Sequence, residues 1–158
     1  MRIERNDLIF QPSEGVQCHA SHLTPLADGG VLTVWFQGSR EGADDVCIWG
    51  ARFSPDGKWS ETRRISPEDG LPHWNPVLFC RADGEILLFY KRGRTIAYWQ
   101  TMVMKSADEG KSWTEPRELV PGDEGGRGPV RNKILRLSDG SLLAPASIEQ
   151  GEWRCFMD

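Results

Sequence analysis

Four stretches of this chain combine residue types that can do chemistry. Three are Cys18-His19-Ala20-Ser21-His22, His73-Trp74-Asn75-Pro76 and Gly128-Pro129-Val130-Arg131-Asn132-Lys133. Each places polar groups beside apolar runs with no packing reason, and ligand binding is the economical explanation. His19 lies 9 residues before Asp28, while Asn75 and Arg131 lie 8 before Asp83 and Asp139 (28 − 19, 83 − 75, 139 − 131). His22, Trp74, Asn132 and Lys133 share these segments and serve equally well as ligand contacts or as satisfied turn groups. The fourth stretch, Gln37 to Asp45, is a Gly-containing loop with Arg40 near Asp44 and Asp45. Such a loop can hold an anionic or polyhydroxyl ligand and supply a proton, because a carboxyl among other carboxyls can hold its proton to higher pH. The bland reading of the same residues is a solvated hairpin loop. His19 offers a different proton carrier, since imidazole titrates near neutral pH.

The elements that must position these residues are repeated. Ala27-Asp28-Gly29-Gly30, Ala82-Asp83-Gly84-Glu85 and Ser138-Asp139-Gly140-Ser141 each lead into an apolar run, and the three Asp residues are 55 and 56 apart (83 − 28 and 139 − 83). Asp-Gly between two apolar runs is a strong hairpin signal. Strands are expected at Pro76–Cys80 and Glu85–Tyr90, then at Asp45–Phe53 and Trp99–Lys105, with a shorter charged strand at Ser60–Ile65 and at Glu115–Val120. Four antiparallel strands per repeat, with no competing helical period, is the anatomy of a β-propeller blade, so the fold class is all-β. In that architecture the first strand of every blade lines the central channel, which brings His19, Asn75 and Arg131 toward one axis.

The turn after the third strand of the second repeat reads Ser106-Ala107-Asp108-Glu109-Gly110-Lys111-Ser112-Trp113, an S-x-D-x-G-x-x-W pattern; the first repeat has the shorter Ser54-Pro55-Asp56-Gly57-Lys58-Trp59. Ser and Asp there satisfy backbone groups, Gly supplies a positive φ, and Trp fills the gap between strands. The expected organisation is an N-terminal segment (1–17) with a strand at Ile3–Phe10, blade one (18–70), blade two (71–127) and an incomplete blade three (128–158) that reaches only the start of its third strand.

Composition narrows the partners. Nineteen Lys and Arg are outnumbered by 23 Asp and Glu, for a net charge of −4, so no basic stripe exists for a nucleic acid to use. Seven Trp against two Tyr suit either a repeated structural position or sugar stacking. Cys18, Cys47, Cys80 and Cys155 form no C-x-x-C pair, which argues against zinc or a redox motif and leaves free, buried thiols as the expectation. No metal or cofactor is expected. The first residues contain no apolar run of the kind a signal peptide or membrane span needs, so the sequence as written reads as cytoplasmic, or as secreted or periplasmic if a leader was removed.

With these motifs in view the chain resembles the sialidase superfamily, and more closely the BNR-repeat, Asp-box sialidase-like proteins. The matching segments are Cys18–Ser21, Gly38–Asp45, Trp74–Phe79, Leu87–Lys91 and Gly128–Lys133. The resemblance implies a propeller of six blades, of which about two and a half are present. It further implies that Arg40 is a substrate ligand and Asp45, or less closely Asp44, the acid/base group. His19 stands near the place where sialidases carry a carboxylate-binding Arg, and their nucleophilic Tyr with its Glu partner lie in later blades. Three functions follow as expectations: hydrolysis of a terminal acidic sugar, glycan binding without catalysis, and a lyase or hydrolase that uses His19 for proton transfer. Incomplete blades also suggest self-association.

Overall fold

The computed structural model describes residue 6 and residues 8–123 and 125–158. Blade one is a four-stranded antiparallel sheet of β1 (Gln17–Pro25), β2 (Val31–Gly38), β3 (Cys47–Phe53) and β4 (Arg63–Arg64), hydrogen-bonded in chain order. Blade two repeats it with β5 (His73–Cys80), β6 (Ile86–Arg92), β7 (Gln100–Ser106) and β8 (Arg117–Glu118). The third unit consists of two hairpins, β9 (Leu135–Arg136) with β10 (Leu142–Leu143) and β11 (Pro145–Ile148) with β12 (Arg154–Met157). Ala144 lies between β10 and β11 and exchanges both backbone hydrogen bonds with Asp158, at 2.9 and 2.8 Å, which extends the second hairpin. One turn of 3-10 helix at Ile96–Tyr98 interrupts the strands. Of the strand expected at Ile3–Phe10, residues 3–5 and 7 lie outside the described residues. Leu8, Ile9 and Phe10 lie outside any strand, and Phe10 stacks on Trp35 with ring centroids 5.3 Å apart.

The three hairpin turns are the same object. In each, the Asp carboxylate accepts the N–H two residues on: Gly30 to Asp28 at 2.9 Å, Glu85 to Asp83 at 3.1 Å, Ser141 to Asp139 at 2.9 Å. The following glycines, Gly29, Gly84 and Gly140, sit at φ 87, 88 and 89, where a side chain would be strained.

Alternating residues of β6 pack in opposite directions. Ile86, Leu88 and Tyr90 join Leu32, Val34, Phe36 and Ile48 of blade one, while Leu87 and Phe89 join Val77, Val103, Ile134 and Ala144 toward the third unit. That double burial is why β6 reads as an unbroken apolar run. The S-x-D-x-G-x-x-W turn works as its chemistry requires. Asp108 accepts the Ser112 N–H at 2.8 Å and the Ser112 hydroxyl at 2.6 Å, and Ser106 Oγ accepts the Gly110 N–H at 2.8 Å. The bonds from Ser112, its hydroxyl first, and the Ser106 hydroxyl donating to Asp108 at 2.8 Å hold the Asp108 carboxyl well below the usual carboxylate range. The turn also docks blade two on blade one. Arg52 of β3 bridges Asp28 and Glu109, and Arg63 donates to the Lys111 carbonyl at 2.6 Å.

All four cysteines are free, as the spacing implied, but their burial departs from expectation. Only Cys47 is buried, which pushes its thiol up to about 11; Cys80 is half-buried, and Cys18 and Cys155 are exposed.

Candidate functional site

The same repeat position carries a left-handed residue in all three units, within β1 and β5 and four residues ahead of β9. Ala20, Asn75 and Arg131 adopt left-handed φ of 52, 45 and 60, and each lies 8 residues before its turn Asp (28 − 20, 83 − 75, 139 − 131). Ladder register slips there, between His19 and His22 in β1 and between Trp74 and Val77 in β5. A non-glycine residue in that region costs about 1–2 kcal/mol, and bulges of this kind re-aim side chains beside functional sites. The break also corrects the sequence alignment of the three strands. Ala20, not His19, is the counterpart of Asn75 and Arg131, and His19, paired with Phe36, matches Trp74, paired with Lys91.

The loop between β2 and β3 rises beside His19. Its imidazole lies on the Phe36 ring, centroids 5.3 Å apart, and Nε2 stands 3.9 Å from the Glu41 carboxylate. Gln17 Oε1 fixes that loop by accepting the Glu41 N–H at 2.8 Å. Asp45 accepts from Ser39 at both oxygens, from the N–H and from the hydroxyl, each at 3.0 Å. Arg40 is exposed and makes no side-chain hydrogen bond or ion pair among the described residues. Asp44 is held by Arg94, which sequence reasoning did not single out.

Trp74 ties this loop to blade two. Its indole N–H donates to the Gly93 carbonyl at 2.8 Å, Trp99 stacks on it at 5.1 Å, and Phe36 meets it edge-on at 5.6 Å. A side chain at Gly42 would stand 3.3 Å from the Trp74 ring, so the blade-one loop rests directly on the indole. Arg94 occupies in blade two the place of Ser39 in blade one, 55 residues earlier (94 − 39), so the repeat spacing was the signal that could have found its loop.

On the third unit, Arg131, Asn132 and Lys133 are exposed. Arg131 and Lys133, like Arg40, have no acidic partner among the described residues. Lys133 bears on His22. Burial first, and the Lys133 charge second, push the His22 imidazole below its ordinary range, and it stays neutral. His22 Nδ1 accepts the Leu78 N–H at 3.2 Å, which leaves the proton on a buried Nε2 that has no partner among the described residues. Among the described residues no three His, Cys, Asp or Glu side chains gather as a metal site would require.

Residues 29–158 match the BNR repeat-like domain. The chain belongs to that family. No curated protein matches this BNR repeat-like chain by sequence. Solved structures match its fold. A protein of unknown function from Dyadobacter fermentans superposes at a TM-score of 0.71 with 14% identity over 92% of this chain and 51% of that one. The microbial sialidase Hz136 superposes at 0.69 with 15% identity, covering 89% and 34%. Zg3597, a family 117 glycoside hydrolase from Zobellia galactanivorans, superposes at 0.68 with 12% identity, covering 94% and 54%. The BNR repeat-like chain thus spans between about a third and a little over half the length of these structures. Its fold is that of propeller blades: an all-β array of four-stranded antiparallel sheets.

Proposed function

We propose that this BNR repeat-like chain supplies part of a sugar pocket in a glycosidase-like propeller that acts on a terminal acidic sugar. The observation that carries the reading is the set of cations Arg40, Arg131 and Lys133, each exposed and without an acidic partner among the described residues. A guanidinium fork matches a carboxylate in plane and charge, and unpaired exposed cations leave that binding capacity free. Asn75 and Trp74 offer a hydrogen-bonding amide and an aromatic wall on the neighbouring strand.

In this reading Asp45 gives a proton to the glycosidic oxygen as the bond from that oxygen to the sugar's anomeric carbon breaks, and takes one back from the incoming hydroxylic nucleophile. The Ser39 hydroxyl suits both states. It donates to Asp45 when the carboxyl is ionised and accepts from it when protonated. A second reading is favoured by the 3.9 Å approach of Glu41 to His19, which sets a carboxylate beside a group suited to proton transfer near neutral pH. There His19 takes the proton from the carbon that bears the sugar's carboxylate, whose charge the cations neutralise. The freed electron pair forms a carbon–carbon double bond as the C–O bond to the leaving sugar breaks and that oxygen is protonated.

Turnover of aryl glycosides of sialic and glucuronic acid by the complete propeller separates these readings. Asp45→Asn should abolish turnover and leave sugar binding, since the amide keeps the shape and loses the proton. Full activity in Asp45→Asn together with loss in His19→Ala would hand the chemistry to the histidine.

A further inference from the structure

Lys91, near the end of β6, is 4% exposed, and among the described residues no carboxylate touches its ammonium. Nζ donates to Thr101 Oγ1 at 2.6 Å and to the Arg127 carbonyl at 2.7 Å, with the Gly128 carbonyl at 3.5 Å. Thr101 passes the contact on, its hydroxyl donating to the same Arg127 carbonyl at 2.5 Å. From the other side Asp158 accepts the Gly128 N–H at 2.6 Å and Arg127 Nε at 2.7 Å. Residues 127 and 128 are therefore gripped by a cation at their carbonyls and by a carboxylate at their amide and guanidinium. The grip closes on bare backbone. Gly128 has φ 78, and a Cβ there would lie 2.6 Å from Leu119 Cδ2 and 2.8 Å from Thr101 Cγ2. Three residues further on is Arg131.

Lys91 does this at a cost to stability. Along β6, Leu87 and Phe89 precede it at alternate positions in the apolar cluster that faces the third unit. Burial pushes its ammonium down to about 8, opposed at longer range by Asp123, Asp158 and Glu149. A folded state that lowers a lysine's pKa holds the proton less well than the unfolded chain does. The charge therefore destabilises the fold below that range, and an apolar side chain of like length would be tolerated or preferred.

We infer that Lys91 is a positioning residue: its ammonium, opposed by Asp158, fixes residues 127–128 and thereby sets where Arg131, Asn132 and Lys133 stand at the rim. This rests on the proposed role of that segment in binding an acidic sugar. Stability is given up for the placement of three polar residues.

Hydrogen exchange on the wild type, Lys91→Met and Thr101→Val, with titrations of N-acetylneuraminic and glucuronic acids, tests it. Lys91→Met should melt no lower than the wild type, yet amides in 127–133 should exchange about tenfold faster while blades one and two keep their protection. Affinity for the acid that binds the wild type should fall about tenfold. Thr101→Val, which removes one member of the relay, should give the same local pattern at smaller size. Unchanged exchange at 127–133 in both variants overturns the inference, as does an even loss of protection with a lowered melt. Faster local exchange in a protein whose wild type binds neither acid upholds the grip and removes instead the ligand role of Arg131 and Lys133.

Discussion

Arg94 grips Asp44 through both carboxylate oxygens, Nη1 to Oδ1 at 2.8 Å and Nη2 to Oδ2 at 2.9 Å, and so ties the top loop of blade two to that of blade one. The same guanidinium donates to the Gly70 carbonyl at 2.9 Å, which brings the crossover between the blades into the bond. Asp44 is thereby committed to a structural partner, whereas Asp45 accepts from the N–H and the hydroxyl of Ser39 within its own loop.

Removing Arg94 should loosen geometry more than it lowers stability. Side-chain exposures of 52% and 63% put the pair in the solvent-screened class, where an ion pair contributes about 1 kcal/mol or less. Arg94→Ala is expected to melt close to the wild type while amides in 39–46 and 93–99 exchange faster. A large drop in melting temperature would show that the pair does more than latch two loops.

The turn between β7 and β8 should fail in a different way. Gly110 sits at φ 83, and a Cβ there would lie 2.8 Å from Leu32 Cδ2 of the neighbouring blade, so Gly110→Ala strains the turn and pushes the blades apart together. Trp113 is half-buried against the seam between blades one and two, and Trp113→Ala should cost about 1–3 kcal/mol, less than a fully buried Trp would. Asp108 adds a pH signature. Its folded pKa is depressed, so its contribution is present above the unfolded carboxylate range and is lost as pH falls through that range toward the folded value. Asp108→Ala should flatten the acid limb of the melting profile, and an unaltered limb would remove the turn from the stability of blade two.

The repeat was legible because each blade spells the same turn with the same residues: Asp28, Asp83 and Asp139 predict the hairpins, and Ser106 to Trp113 the docking turn. Fourth strands were overread. Ser60 to Ile65 yields only Arg63–Arg64 because the Ser60 hydroxyl takes the Arg52 N–H at 3.0 Å, replacing a ladder bond, and Thr114 does the same to Lys105 at 3.0 Å in blade two. The left-handed residues were not legible at all. Alanine, asparagine and arginine share no turn chemistry, and tertiary packing alone puts them in one conformation. Glu41 and Arg94 escaped for a related reason, since exposed charges in loops acquire meaning only from what the neighbouring blade places opposite them.

His73 gives the seam between blades one and two its own acid sensitivity. It is fully buried and lies on Tyr90, centroids 4.8 Å apart. Ile48 N–H donates to Ser66 Oγ, so the Ser66 hydroxyl turns its proton to His73 Nδ1 at 2.8 Å, and Nε2–H faces Asp69 at 3.4 Å. Burial pushes the imidazole down to about 4 against the pull of Asp69. The unfolded chain therefore binds this proton more readily. Stability from this group is intact above about pH 6.5 and falls as pH drops from there toward about 4, by up to roughly 3 kcal/mol. His73→Asn should lower the melt at pH 7 and reduce its further decline between pH 6.5 and 4. An equally steep decline in the variant would assign that acid limb to the carboxylates instead.

The outer side of the third unit makes the last prediction. Trp153, Met157, Leu135 and Leu137 are 70%, 61%, 59% and 43% exposed, in a unit whose third strand, β12, pairs among the described residues only with β11. In blades one and two the corresponding strands each carry a fourth strand, β4 or β8, on the outer edge. An apolar face beside an open strand edge draws partners. The 158-residue polypeptide is therefore expected to scatter light above its monomer mass of 17.8 kDa. Leu135→Lys with Met157→Lys should return it to the monomer, because both side chains already face solvent and their charging costs the fold little while blocking the face. A wild-type chain that runs as a stable monomer at high concentration would mean that this surface is tolerated uncovered.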